Sequence, residues 1–258
     1  MTVQSVLKKL DEDGKPALIG YFPAGYPTSA DSIEACVAMC ESGIDVLELG
    51  VPYSDPVMDG LVIQEATEQA LANGFKLSNF FDTLKAITDH VQTPVLVMSY
   101  WNPILQYGVR KFAEDLKNAG GAGLITPDLI PDEASEWLEV SDELELERVF
   151  LATPSSSEKR LQQVASVSRG FVYAVSTMGI TGAREDLDAK ARAVVSGVKA
   201  TGTTVPVCVG IGISTSEQVD EVNSYADGAI VGSVFIKAYR DGGIEKLSQI
   251  VQELKAGN

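Results

Sequence analysis

Eight short apolar, β-rich runs alternate with amphipathic helical patterns along this chain: Ala17 to Phe22, Val46 to Leu49, Pro94 to Tyr100, Ala122 to Thr126, Val149 to Ala152, Phe171 to Ser176, Val205 to Gly210 and Ala229 to Gly232. Strands with so little polar alternation are covered on both faces, as in a parallel sheet wrapped by helices. Eight strand-helix units with no linker or abrupt change of composition between them predict one closed barrel. The fold expected over residues 1–258 is therefore α/β, a single (β/α)8 barrel of the TIM type, with a doubly wound open sheet as the competing arrangement. A length of 258 residues suits one such domain, and 45% hydrophobic residues against 22% charged can fill its core.

Helix-boundary signals fall between the runs. Thr28 and Ser29 can accept from free amides, Ile33, Cys36, Val37 and Cys40 share a face, and Gly43 can end that helix. Ser214 is placed to cap a helix with Val219 and Val222 turned inward. Two helical patterns, one ending near Gly74 and one opened by Ser78, separate strands two and three, so an extra helix is expected there. The acidic stretch Glu139 to Glu147 reads as the solvated face of a helix and its following turn.

The titratable inventory limits the chemistry. One histidine, His90, and three cysteines, Cys36, Cys40 and Cys208, exclude two-histidine zinc sites and a paired disulfide framework. His90 falls at the bottom rim of the barrel, where a structural or surface role is expected. Cys36 and Cys40, one helical turn apart, read as small reduced core residues, with metal or redox chemistry as the alternative. A net charge of −16 argues against nucleic-acid and anionic-membrane partners, which select basic patches. Met1 to Lys15 lacks the apolar segment of a signal peptide and no run reaches membrane-span length, so a cytoplasmic location is expected.

In such barrels, chemistry collects at the carboxyl ends of the strands. On strand two, Glu48 shares its side with Val46, while Leu47 and Leu49 point toward the helices. With no Lys or Arg in the eight runs, Glu48 is read as a carboxyl kept partly protonated by burial; a structural ion pair with a loop residue is the alternative. In the following loop, Asp55 before Pro56 and Asp59 before Gly60 are either turn residues or a second catalytic carboxylate. Gly179-Ile180-Thr181-Gly182 can form a lid. Gly210-Ile211-Gly212-Ile213-Ser214 and Gly232-Ser233, after strands seven and eight, can hold a phosphate on backbone amides or can be plain turns. Without strand lysines for a Schiff base, a phosphorylated substrate handled by carboxylates remains. Proton transfer giving isomerisation or cleavage is the expected reaction class.

The segment Glu48-Leu49-Gly50-Val51-Pro52-Tyr53-Ser54-Asp55-Pro56, followed by Asp59-Gly60 and Val62-Ile63-Gln64, resembles the signature of the tryptophan synthase alpha chain family. The resemblance continues through Ala24-Gly25-Tyr26-Pro27, Tyr100-Trp101-Asn102-Pro103-Ile104, Pro127-Asp128-Leu129-Ile130-Pro131, Gly179 to Gly182 and Val231-Gly232-Ser233. It implies retro-aldol cleavage of indole-3-glycerol phosphate to indole and glyceraldehyde 3-phosphate in tryptophan biosynthesis. Glu48 then matches the proton-transfer residue, Asp59 the second carboxylate and Tyr173 a residue lining the site, although Tyr173 read alone is a core aromatic. Phe22 matches an aromatic contact of the indole, Thr181 a lid residue that reaches Asp59, and Gly182, Gly212, Gly232 and Ser233 the phosphate site.

The chain departs from the family at Ile211, where phenylalanine is common, and at Met58 and Leu61, where proline or small residues are. The resemblance also implies a beta-chain partner in a heterotetramer of two alpha and two beta chains. Pyridoxal phosphate would belong to that partner, with no cofactor in this subunit, and Tyr53 to Asp59, Asn102-Pro103 and Asp128 to Pro131 would face it. A catalytically weak regulatory subunit that binds the phosphate ligand and activates a beta chain is the alternative. An indole-glycerol phosphate synthase would need strand lysines that are missing here.

Overall fold

The computed structural model describes residues 2–175, 184–210 and 212–256. In chain order its elements are α1 (Val3–Glu12), β1 (Leu18–Pro23), α2 (Ser29–Ser42), β2 (Val46–Gly50), α3 (Leu61–Ala72), α4 (Leu77–Thr88), β3 (Val95–Met98), α5 (Trp101–Tyr107), α6 (Val109–Asn118) and β4 (Gly123–Ile125). They continue with a short 3-10 turn (Pro131–Glu133), α7 (Ser135–Glu143), β5 (Glu147–Val149), β6 (Leu151–Ala152), α8 (Glu158–Val167), β7 (Val172–Val175), α9 (Arg184–Lys199), β8 (Val207–Gly210), α10 (Ser216–Asn223), β9 (Gly228–Val231) and α11 (Ser233–Ala256).

All strand pairings are parallel, in the order β5-β4-β3-β2-β1-β9-β8-β7-β6. The two outermost strands, β5 and β6, are consecutive in the chain and separated only by Phe150, so one strand broken at that residue closes the ring. The run Val149 to Ala152, read as one strand, is thus split, and the barrel has eight positions built from nine strands. Both α3 and α4 lie between β2 and β3.

Period-two alternation divides the strand residues into two cores. Ile19, Val46, Leu96, Ile125, Val149, Phe171, Cys208 and Ile230 fill the barrel interior, where Val3 and Leu7 of α1 join them. Leu47, Leu49, Val97, Leu124, Val172, Val209 and Val231 pack outward into the helical shell. The amino end of α1 is fixed by Glu147 of β5, which accepts from the backbone N–H of Val3 at 2.7 Å and of Gln4 at 2.9 Å. That corrects the reading of the acidic stretch: Glu139 and Glu143 lie on α7, but Glu147 is buried and binds two amides that the helix itself leaves free.

Other boundaries follow local chemistry. Thr28 caps α2 by accepting from the Asp31 N–H, and Gly43 ends it at φ 117°, a left-handed conformation costly for other residues. The cap of α10 is Thr215 rather than Ser214; Gln218 Oε1 accepts from both of their N–H groups, and Val219 and Val222 are buried. Lys76, not Ser78, precedes the first turn of α4. One strand does carry a cation, Arg148 of β5, contrary to the reading of the runs. It lies in the helical shell, bonded to Asp142, Ser141 and the Val167 carbonyl, and leaves the barrel interior without a cation among the described residues.

Candidate active site

The register of β1 and β2 sets Tyr21 beside Glu48 and Pro23 beside Gly50. Glu48 therefore shares the inward side of β2 with Val46 and Gly50, and it is 3% exposed. Its Oε2 is buried without a hydrogen-bond partner among the described residues. Burial, reinforced by the nearby Asp59 charge, raises its pKa from the ordinary 4.5 to about 8, so the carboxyl is largely protonated at neutral pH.

The two aspartates of the β2–α3 loop separate. Asp55 is exposed and takes a hydrogen bond from the Ser54 hydroxyl at 2.6 Å, as a turn residue does. Asp59 is 7% exposed, and its Oδ1 accepts from the Tyr100 hydroxyl at 3.0 Å. That hydroxyl also accepts from the Met58 N–H at 2.8 Å, so one phenol beyond β3 holds both the loop backbone and its carboxylate. Burial raises Asp59 from 3.8 to about 6, with the Tyr100 bond opposing the shift, which leaves it mostly ionised at neutral pH.

Two phenols complete the mouth of the barrel. A Cβ on Gly210 would lie 2.4 Å from the Tyr173 hydroxyl, and one on Gly50 would lie 2.3 Å from that of Tyr21. Glycine at these two strand ends is what admits the hydroxyls. Burial, then the Glu48 charge, pushes the Tyr173 phenol well above its usual range; burial, then Asp59 and Glu48, does the same for Tyr21. Both are donors at any physiological pH.

Phe22 does not face this mouth. Gly20 faces Met39 and Ile44, on the helical side, and Phe22 shares that side, its ring 6.1 Å from Tyr26 and 5.6 Å from Tyr239 of α11. The inward aromatic is Tyr21, one residue earlier. Sequence reasoning missed it, although the alternation that placed Glu48, applied to β1, identifies it. Nothing in the sequence singles out Tyr100, because only the tertiary fold brings it to Asp59.

On the same rim, at the end of β9 next to β1, a Cβ on Gly232 would meet the Tyr21 ring at 3.3 Å, and one on Gly60 would lie 3.9 Å from Ser233 Oγ. The amino end of α11 at Ser233 therefore sits beside the loop that carries Asp59. Gly212 adopts φ 70° with open space around its Cβ position. Thr181, Gly182 and Ile211, with the Gly179-Ile180 part of the lid segment, lie outside the described residues.

The segments that follow β2, β3 and β4 are tied together by Tyr53 packed at a tilt against Tyr100, ring centroids 5.3 Å apart, an Asn102 amide donating to the Tyr53 hydroxyl, and the Trp101 N–H donating to Asp128. Val57, Leu61, Leu105 and Ile130 project from this region as exposed large apolar side chains, Val57 at 75%. Cys36 and Cys208 are buried and Cys40 partly so, all three as free thiols. His90 is exposed, its Nδ1 2.7 Å from the Ala86 carbonyl. Among the described residues no helix is long and apolar enough to cross a membrane.

The family model of the tryptophan synthase alpha chain matches residues 7–257. The chain is 58% identical over 241 residues to the tryptophan synthase alpha chain of Leifsonia xyli subsp. xyli, covering 93% of this chain and 92% of that one. It is 50% identical over 246 residues to the alpha chain of Mycobacterium intracellulare, with 95% and 90% covered. Its fold is similar to Mycobacterium tuberculosis tryptophan synthase in space group F222, with a TM-score of 0.93, 47% identity and coverage of 99% and 97%. It is similar also to the tryptophan synthase A-subunit of Pyrococcus furiosus, at a TM-score of 0.84 and 35% identity over 93% and 98% of the two chains. With sequence and fold matching over nearly its whole length, the chain belongs to the tryptophan synthase alpha chain family.

Proposed function

We propose that this chain, a lyase subunit of tryptophan biosynthesis by its family, cleaves indole-3-glycerol phosphate to indole and glyceraldehyde 3-phosphate. The observation that carries this reading is the pair of buried carboxyl groups at the barrel mouth, Glu48 raised to about 8 and Asp59 to about 6, so that near neutral pH the first favours the acid and the second the carboxylate. The reaction needs such a pair. The bond between indole C3 and the first glycerol carbon breaks, C3 gains a proton, and the hydroxyl on that carbon loses one as it becomes the aldehyde.

Glu48 donates its proton to C3. The resulting carboxylate then takes the hydroxyl proton as the carbon-carbon bond parts, which returns it to its starting state. Positive charge develops on the ring nitrogen in between, and Asp59, held ionised by Tyr100, accepts from that N–H. Tyr173 lines the site beside Glu48, and Tyr21 takes the place assigned to Phe22 against the indole.

The phosphate is held by the backbone amides at Gly182 and Gly212 and at the amino end of α11, Gly232 and Ser233, a device that needs no basic side chain. Thr181 and Ile211 belong to the lid and the indole pocket on this reading. Closure would shut water out and retain the apolar product. No cofactor enters these steps.

The exposed apolar side chains Val57, Leu61, Leu105 and Ile130, on the same three segments after β2, β3 and β4 as Tyr53, Asn102 and Asp128, support docking of a beta chain there. Pyridoxal phosphate would belong to that partner. Mixing the chain with a beta chain and measuring both particle size and indole release tests the assignment. Indole formed from indole-3-glycerol phosphate, faster in the larger complex, is the expected result; phosphate-ligand binding without indole release would favour a purely regulatory subunit.

A further inference from the structure

Of the residues that carry the family resemblance, Val62-Ile63-Gln64 in the first turns of α3 takes no part in the proposed chemistry. Gln64 nonetheless reaches back out of its helix. Its side-chain amide donates to the main-chain carbonyl of Asp59 at 2.7 Å and, more weakly, to that of Pro56 at 3.5 Å. A carbonyl only accepts, so the NH2 end of the amide must face both, and one group spans the two ends of segment 56–59.

Among the described residues little else holds that segment. Val57 is 75% exposed and Leu61, which opens α3, is 66% exposed, so buried apolar side chains do not pin it at either place. Gly60 precedes the helix and has no side chain with which to cap it. Inside the segment, the Asp59 N–H reaches the Pro56 carbonyl only at a long 3.4 Å. The short bonds are those of the Tyr100 hydroxyl, to the Met58 N–H and the Asp59 carboxylate, and that of Gln64 to the Asp59 carbonyl.

The helix from which Gln64 reaches is itself seated on the barrel rim. A Cβ on Gly232, just past β9, would lie 3.6 Å from Ile63 Cδ1, and the Ile63 and Gln64 N–H groups both donate to the Gly60 carbonyl at 2.9 Å. Asp59 is thus gripped at two ends, its carboxylate by a phenol from beyond β3 and its carbonyl by an amide from α3. The bond to the carboxylate alone fixes a distance. A second bond on the main chain of the same residue fixes the direction from which that carboxylate enters the mouth, and misplacement of a catalytic group by about 1 Å can cost about a hundredfold in rate.

We propose that Gln64 is a positioning residue that sets Asp59 in the barrel mouth by holding its main-chain carbonyl from α3. The effect on turnover rests on the proposed reaction, in which Asp59 must meet the indole N–H; the hold on the loop does not.

The test uses Gln64→Met, which keeps the length of the side chain and a good helix former but loses the donors. It is paired with Asp59→Asn and the double variant, all in complex with a beta chain. Single-turnover indole release by Gln64→Met should be slower than the wild type by about ten- to a hundredfold, with affinity for glycerol 3-phosphate unchanged. In the Asp59→Asn background the same change should cost less than about twofold more, because the group it positions is gone. An equal loss in both backgrounds, a loss confined to phosphate affinity, or near-normal release by Gln64→Met would overturn the assignment. Amide hydrogen exchange at Met58, whose N–H donates to Tyr100, reads the loop without substrate and should be about tenfold faster in Gln64→Met. Unchanged exchange would overturn the hold on the loop. If the wild type itself releases no indole, the proposed reaction fails and the exchange at Met58 alone decides for or against Gln64.

Discussion

The Tyr100 hydroxyl donates to Asp59 Oδ1 at 3.0 Å and accepts from the Met58 N–H at 2.8 Å. One side chain rooted beyond β3 thereby fixes where the β2–α3 loop lies and keeps its carboxylate ionised. Tyr100→Phe removes both bonds. Asp59 is expected to titrate higher, so the acid limb of the pH–rate profile should move up, and turnover at pH 6 should fall by about tenfold, the scale of a lost hydrogen bond to a charged group. Steady-state rates of indole release between pH 5 and 9 measure this; an unmoved acid limb would separate Tyr100 from Asp59.

The wild-type profile should itself be bell-shaped. It rises through about 6 as Asp59 ionises and falls through about 8 as Glu48 loses the proton it must donate. A rate that kept rising past pH 9 would contradict a protonated Glu48 as the starting state.

Glu48 also weighs on stability. Its folded pKa lies above the ordinary 4.5, so folding is unpenalised below about 4.5, and stability is progressively lost as pH rises through about 8. Glu48→Gln should therefore be more stable than the wild type at pH 8.5, by on the order of a few kcal/mol, and nearly equal to it at pH 4.5. Urea unfolding at the two pH values measures the difference, and equal stabilities at pH 8.5 would show that the carboxyl is better solvated than its burial indicates.

Gly210→Ala would place a methyl group 2.4 Å from the Tyr173 hydroxyl. The phenol must move, at a cost of about 1–3 kcal/mol for overpacking, and turnover should fall with little change in secondary structure by circular dichroism. Full activity would show that the Tyr173 hydroxyl has no fixed place in the site.

At the far end of the barrel, Glu147→Ala frees the Val3 and Gln4 amides. Thermal unfolding should show a loss of about 1–3 kcal/mol, with turnover at 25 °C unchanged. A comparable loss of turnover would mean that the packing of α1 under the barrel reaches the catalytic end.

Most of the barrel was legible because its strands are covered on both faces and its helices keep a regular period. The side on which Glu48 lies followed from strand parity alone. The same parity in β1 separates Tyr21 from Phe22, and the residue named by resemblance, Phe22, is the one that faces the helices. Asp59 could not be told from a turn residue by sequence, since its burial depends on Tyr100, 41 positions away. Glu147 looked like one more charge in an acidic stretch because the amides it binds lie 143 and 144 positions earlier. The break at Phe150 left no mark on the apolar run that contains it.

The central claim is that Glu48 moves the protons of cleavage. Single-turnover release of indole from indole-3-glycerol phosphate, compared between the wild type and Glu48→Gln in complex with a beta chain, tests it most directly. Glu48→Gln should release no measurable indole while its affinity for a phosphate ligand stays within about tenfold of the wild type, roughly 1.4 kcal/mol. Near-normal release by Glu48→Gln would contradict the account.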